Sequence, residues 1–99
     1  MMQNIFPHEV VELIQIGSKP SIIDVREAVE VARGKIPTAQ NIPLSLLQFK
    51  LQDIDKNKEH IIVCHSGGRS AMATNFLASQ GYKVKNMVGG MLGWNGEIE

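Results

Sequence analysis

The chemistry of this chain centres on its single cysteine, Cys64, which opens the segment Cys64-His65-Ser66-Gly67-Gly68-Arg69-Ser70. The β-branched run His60-Ile61-Ile62-Val63 leads into it. Behind it comes a stretch from about Arg69 to Gln80 with Met72, Ala73, Phe76 and Leu77 at helical spacing. A strand, a tight turn and a helix start would put the thiol where backbone N–H groups lack partners and point outward. Adjacent glycines allow positive φ, so the amides of Gly67, Gly68 and Arg69 are expected to converge on one anion. Arg69 adds a permanent charge and a forked set of donors. Thiols at helix N-termini beside cations fall to about 3.5–7.5 from a free value of about 8.5. The expected chemistry is that of a thiolate nucleophile at neutral pH. A lone cysteine is more often a small buried hydrophobe; the loop, the helix and the glycines together favour the nucleophile.

The neighbouring residues have plainer readings beside functional ones. Arg69 either binds an anionic group or holds the loop by hydrogen bonds. His65 could act as a base, but a thiolate already favoured by amides needs none, so it is read as a solvent-facing residue that shapes access. Ser66 is a candidate substrate contact or a plain turn residue, and Ser70 is expected to help cap its helix. Asp24 and Arg26 follow another strand end, Ser21 to Val25. Arg26 is a candidate for the pocket rim, although an ion pair with Glu27 or Glu30 is the favoured reading. Trp94 is read as a core or pocket-wall aromatic, His8 and His60 as surface residues, and the methionines as core residues.

The elements that must position these residues follow from the punctuation. Helices are expected over His8–Ile16, with Pro7 before it and Gly17 after it, over Ala28–Arg33 and over Leu44–Leu51. A short terminal helix is expected near Leu92 and Trp94. Strands are expected at Ser21–Val25, Asn41–Ile42, His60–Val63 and Val84–Val88, and Asp53–Glu59 reads as a polar connector. Strands alternating with helices imply right-handed crossovers and a mainly parallel sheet. In such open sheets ligands bind beyond the carboxyl ends of the strands, where Cys64 lies. The 99 residues suit one domain spanning 1–99, and the 43% apolar content suffices for a core. Ten basic and ten acidic residues cancel, which gives no electrostatic reason to expect nucleic acid or an anionic membrane as partner. No basic-then-apolar leader and no apolar stretch of about 20 residues is present, so a cytoplasmic location is expected. One cysteine can form neither an internal disulfide nor a cysteine-rich metal site.

The loop Cys64 to Ser70 resembles the active-site loop of the rhodanese family. Three further segments carry the same resemblance in order: Asp24-Val25-Arg26-Glu27 with Glu30; Gly34-Lys35-Ile36-Pro37-Thr38-Ala39-Gln40-Asn41-Ile42-Pro43; and Gly89-Gly90 followed by Trp94. The second of these is similar to the family's Gly-His-Ile-x-Gly-Ala-x-Asn-Ile-Pro stretch, with Lys35 for the usual His and Thr38 for the usual Gly. Val31 stands where an aromatic residue is common. The resemblance spans about Ile5 to Trp94.

It implies a single rhodanese-like α/β domain, doubly wound, with a mainly parallel sheet and helices on both faces. It also implies a sulfurtransferase that moves sulfane sulfur from a donor such as thiosulfate to cyanide or a thiol through a Cys64 persulfide. His65 to Ser70 would form the substrate-binding loop, with Asp24 and Arg26 as possible rim residues, and no metal or organic cofactor. One alternative is a persulfide carrier that serves a partner protein. Another is a Cys-dependent phosphatase or arsenate reductase. That signature has five residues between Cys and Arg, whereas four separate Cys64 from Arg69, which makes a tighter ring.

Overall fold

The computed structural model describes residues 2–99. Five strands form one parallel sheet: β1 (Asn4–Ile5), β2 (Ser21–Asp24), β3 (Gln40–Asn41), β4 (Glu59–Val63) and β5 (Lys83–Met87), in the order β1-β5-β4-β2-β3. Three α-helices connect them: α1 (Pro7–Gln15), α2 (Ala28–Val31) and α3 (Gly68–Ser79). The central strand β4 pairs with β2 and β5 on either side, so the end of β4 is the middle of the sheet's carboxyl edge.

Side-chain alternation divides the core into two layers. Ile23, Ile62 and Cys64 face one way, with Ala73 and Leu77 of α3 and with Leu47. Ile22, Ile61 and Val63 face the other, with Val10 of α1, Ile36 and Met87. Burial on both faces is why β2 and β4 read as unbroken apolar runs rather than as alternating ones. The sheet is thus parallel, as the alternation of elements implied, and doubly wound, as the family resemblance implied.

Several local expectations change. The edge strand Asn4–Ile5 was not foreseen. It pairs with Asn86 and Met87 of β5. The segment expected as a helix over Leu44–Leu51 is instead a 3-10 helix over Leu44–Phe49, followed by another over Leu51–Asp53. Leu44 and Leu47 are three apart, and a 3-10 turn eclipses such positions, so both reach the core side by side. His60, expected at the surface, is 4% exposed: its ring lies 2.6 Å from Ser21 Oγ and 2.7 Å from the Asp55 carbonyl. Met72, expected in the core, is exposed. Thr38 adopts φ +71°, a left-handed conformation that a β-branched residue resists and a glycine takes freely.

Candidate active site

β4 ends at Val63, and Cys64 follows at 1% exposure. The chain then turns through exposed His65 and Ser66 to Gly67, whose φ of +108° only glycine adopts without strain. α3 starts at Gly68, and no side chain caps it. The sulfur takes the place of a cap. The Gly67 N–H donates to Sγ at 3.0 Å, and Ser70 Oγ lies 3.3 Å from Sγ. Ser70 sits within the first turn rather than at the cap, and its Oγ is 3.1 Å from the Gly67 carbonyl. A hydroxyl has one proton. In the thiol form S–H donates to Ser70 Oγ, which donates to Gly67 O. In the thiolate form the Ser70 proton turns to sulfur.

Burial is the largest single influence on the Cys64 thiol, and it opposes ionisation. The Ser70 hydroxyl and the backbone amides of Ser70, Gly67 and Ser66 together outweigh it, so the pKa lies below its ordinary value. Of the loop amides, that of Gly67 hydrogen-bonds the sulfur, and those of Ser66 and Ser70 add to the stabilisation of the thiolate. Those of Gly68 and Arg69, which the sequence suggested beside Gly67, are not among the main stabilising groups. Gly68 has no positive φ and open space around it, so only Gly67 of the pair depends on being glycine.

Arg69 donates from Nη1 and Nη2 to the two Glu30 carboxylate oxygens at 2.6 and 2.8 Å. Glu30 Oε1 also accepts the Glu27 N–H at 2.9 Å. The Arg69 guanidinium, that amide and nearby Arg26 hold the Glu30 carboxyl at about 2. Arg26 forms no ion pair with the carboxylate of Glu27 or Glu30; its Nη1 reaches Glu30 only at the backbone carbonyl, at 3.4 Å. It grips Asp24, which accepts Nη2 at 2.8 Å, Nε at 3.0 Å and the Arg26 backbone N–H at 3.0 Å. Arg26 also donates to the Gly34 carbonyl at 2.8 Å. Asp24 is 0% and Arg26 5% exposed. The pair is a buried tie between the end of β2 and the loop after α2, not an open pocket rim.

Sequence reasoning missed the support behind the loop. The Met91 and Leu92 N–H groups donate to the Cys64 and His65 carbonyls at 2.8 and 3.0 Å. This brings the Gly89–Gly90 turn against the Cys64 loop so closely that a Cβ on Gly90 would lie 2.5 Å from Cys64 O. The Gly-Gly pair was visible in the sequence as part of the family resemblance, and the structure supplies its physical reason. Glu30 as the partner of Arg69 had no local signal, because 39 residues separate them.

A thiol at the carboxyl end of the central strand of a parallel sheet, ringed by amides at an uncapped helix start, defines a class of α/β domain built around a single activated cysteine. The rhodanese-like domain matches residues 6–97, and the chain belongs to that family. A Bacillus subtilis protein named "Putative sulfurtransferase YtwF" is 42% identical over 88 residues, covering 89% of this chain and 85% of its own. A protein of Allochromatium vinosum named "Sulfurtransferase" is 38% identical over 74 residues, covering 74% and 69%. The crystal structure of a rhodanese-like domain protein from Staphylococcus aureus superposes with TM-score 0.94 at 34% identity, covering 99% of this chain and 97% of the other. Family and named relatives together support a role in sulfur transfer.

Proposed function

We propose that the protein is a sulfurtransferase in which Cys64 carries sulfur as a persulfide between a sulfane-sulfur donor such as thiosulfate and a nucleophilic acceptor, cyanide or a thiol. The Cys64 thiolate attacks the outer sulfur of thiosulfate. The Sγ–S bond forms, the S–S bond of the donor breaks, and its electron pair leaves with sulfite. The acceptor then attacks the terminal sulfur and returns Cys64 to the thiolate. The observation that carries this reading is the polar setting of Sγ: the Gly67 N–H donates to it at 3.0 Å, and Ser70 Oγ lies at 3.3 Å, where its hydroxyl proton can turn to a thiolate. A persulfide is also an anion, and donors that favour an anion at Sγ support this reading. A free thiol of this kind suits a reducing compartment, and we assign the protein to the cytoplasm.

The test is intact-protein mass spectrometry after incubation with thiosulfate. The expected product carries one added sulfur atom on Cys64, and cyanide or a reducing thiol removes it. Cys64→Ser should keep the fold and lose both adduct and turnover. Absence of the adduct at every thiosulfate concentration, or turnover retained by Cys64→Ser, overturns the mechanism.

A further inference from the structure

Charges around the loop are not arranged to welcome an anion. Arg69 is the one cation on the Cys64 loop, and Glu30 takes both of its Nη groups in a two-pronged contact. Glu30 is itself anchored, since its Oε1 accepts the Glu27 N–H in a capping interaction at the start of α2. Its carboxyl is held at about 2, so it stays ionised wherever the thiolate exists and cannot release Arg69 by taking up a proton. The second arginine nearby, Arg26, is buried and matched by Asp24. Glu27 stands exposed close enough to influence Arg69. The two arginines thus face three carboxylates before the Cys64 thiolate is added.

We infer that Glu30 is the specificity-determining residue of this site: by occupying Arg69 it withholds that cation from anionic donors, so the loop favours sulfur donors of low charge over dianionic thiosulfate. This rests on the sulfurtransferase reading above and names the class of donor for the same cysteine. Glu30 touches Arg69 and not the reacting sulfur, so it acts as a positioning residue. Its effect belongs in donor binding rather than in the bond-breaking step.

Two donors that react alike and differ by one charge provide the test. Thiosulfate is a dianion; benzenethiosulfonate is a monoanion whose outer sulfur is attacked in the same way, with benzenesulfinate leaving in place of sulfite. The full chain is assayed with each, with cyanide in excess as acceptor. Glu30→Gln removes the charge but keeps an oxygen for the Glu27 amide. Arg69 is then free to meet the donor, and one unit charge of repulsion is gone. The ratio of kcat/KM for thiosulfate to that for benzenethiosulfonate should rise by about three- to ten-fold, the scale of one partly screened charge at a protein surface. The change should sit in the KM for thiosulfate and shrink as salt is raised, because the pair is partly exposed. Adding Arg69→Gln to Glu30→Gln should abolish the gain. A merely structural role predicts the opposite pattern, with both donors weakened alike. An unchanged ratio, or a raised thiosulfate KM in Glu30→Gln, overturns the inference. If the wild-type chain is inert toward both donors, the sulfurtransferase reading itself falls, and this inference with it.

Discussion

Replacing Gly90 by alanine should damage this protein more than any other glycine substitution around the loop. Gly90 has φ +58°, where an L side chain costs about 1–2 kcal/mol. Its Cβ would also stand 2.5 Å from Cys64 O and 2.6 Å from the carbonyl carbon and oxygen of His65. These are backbone atoms. They can retreat only by loosening the Met91 N–Cys64 O and Leu92 N–His65 O hydrogen bonds, each worth about 1 kcal/mol net. The expected loss is about 3–4 kcal/mol, which for a domain of this size lowers the melting temperature by about 12–30 °C. Two neighbours serve as controls. Gly89 has φ +78° but open space around its Cβ position, so Gly89→Ala should lose only the conformational cost, about 1–2 kcal/mol. Gly68 has no positive φ and open space, so Gly68→Ala should be neutral or gain about 0.4–1 kcal/mol. Thermal unfolding followed by circular dichroism ranks the three. Gly90→Ala melting within a few degrees of Gly89→Ala would refute the claim that the Gly90 contact holds the loop.

Ser70→Ala removes a hydrogen bond that the thiolate accepts, so the folded thiol becomes harder to ionise. The pH profile of iodoacetamide alkylation should move to higher pH, and an unmoved profile would mean that the hydroxyl serves only the Gly67 carbonyl. Thr38→Gly relieves a left-handed threonine at the cost of glycine's extra entropy, and should stabilise the chain by about 0.5–1 kcal/mol in urea denaturation; a loss of stability would mean that the Thr38 side chain holds the turn in place.

How much could be read from the chain alone depended on how local each cause was. β2 and β4 were legible because Ile22-Ile23 and Ile61-Ile62-Val63 are buried on both faces, and such runs have few other uses. The two-residue edge strand Asn4–Ile5 has no period to detect, and its pairing is chosen by Asn86 and Met87 across the sheet; the equally short strand expected at Asn41–Ile42 forms one residue earlier, at Gln40–Asn41, beside Ile23 and Asp24. Leu44, Leu47 and Leu51 are spaced three and then four apart, which suits either kind of helix, and packing against Ile42 and Ile54 decides between them. His60 has the polarity of a surface residue, but its register opposite Ser21 gives its ring a hydrogen-bond partner inside the sheet. At the site, Cys64 and Gly67 were legible because strand, turn and helix follow each other directly. The ion pairs were not. Glu27 and Glu30 look equivalent in sequence, and only the fold shows that Arg69 arrives at Glu30 while Arg26 turns back to Asp24.

Burial of Cys64 has two consequences that pull in opposite directions. It penalises the thiolate more than any other single factor does. It also keeps water from the sulfur, and hydrogen bonds in a low-dielectric site are stronger than those at a wet surface. The net lowering therefore depends on the loop being held in register, because amides displaced by a fraction of an ångström would leave the penalty without its compensation. This is why Gly90 and Ser70 rank above Arg69 as determinants of thiol reactivity: Gly90 keeps the loop in place, Ser70 donates to the sulfur, and Arg69 is engaged by Glu30. The same burial orders the steps of the proposed reaction. A cysteine at 1% exposure is open only to a slim electrophile, such as the terminal atom of a small donor. Once loaded, the reactive sulfur stands about 2 Å beyond Sγ, the length of an S–S bond. In that state a bulkier nucleophile needs to approach only the outer atom. On the proposed mechanism, a thiol sealed when empty and extended when loaded would admit its donor by size and charge, and would place fewer demands on the shape of its acceptor.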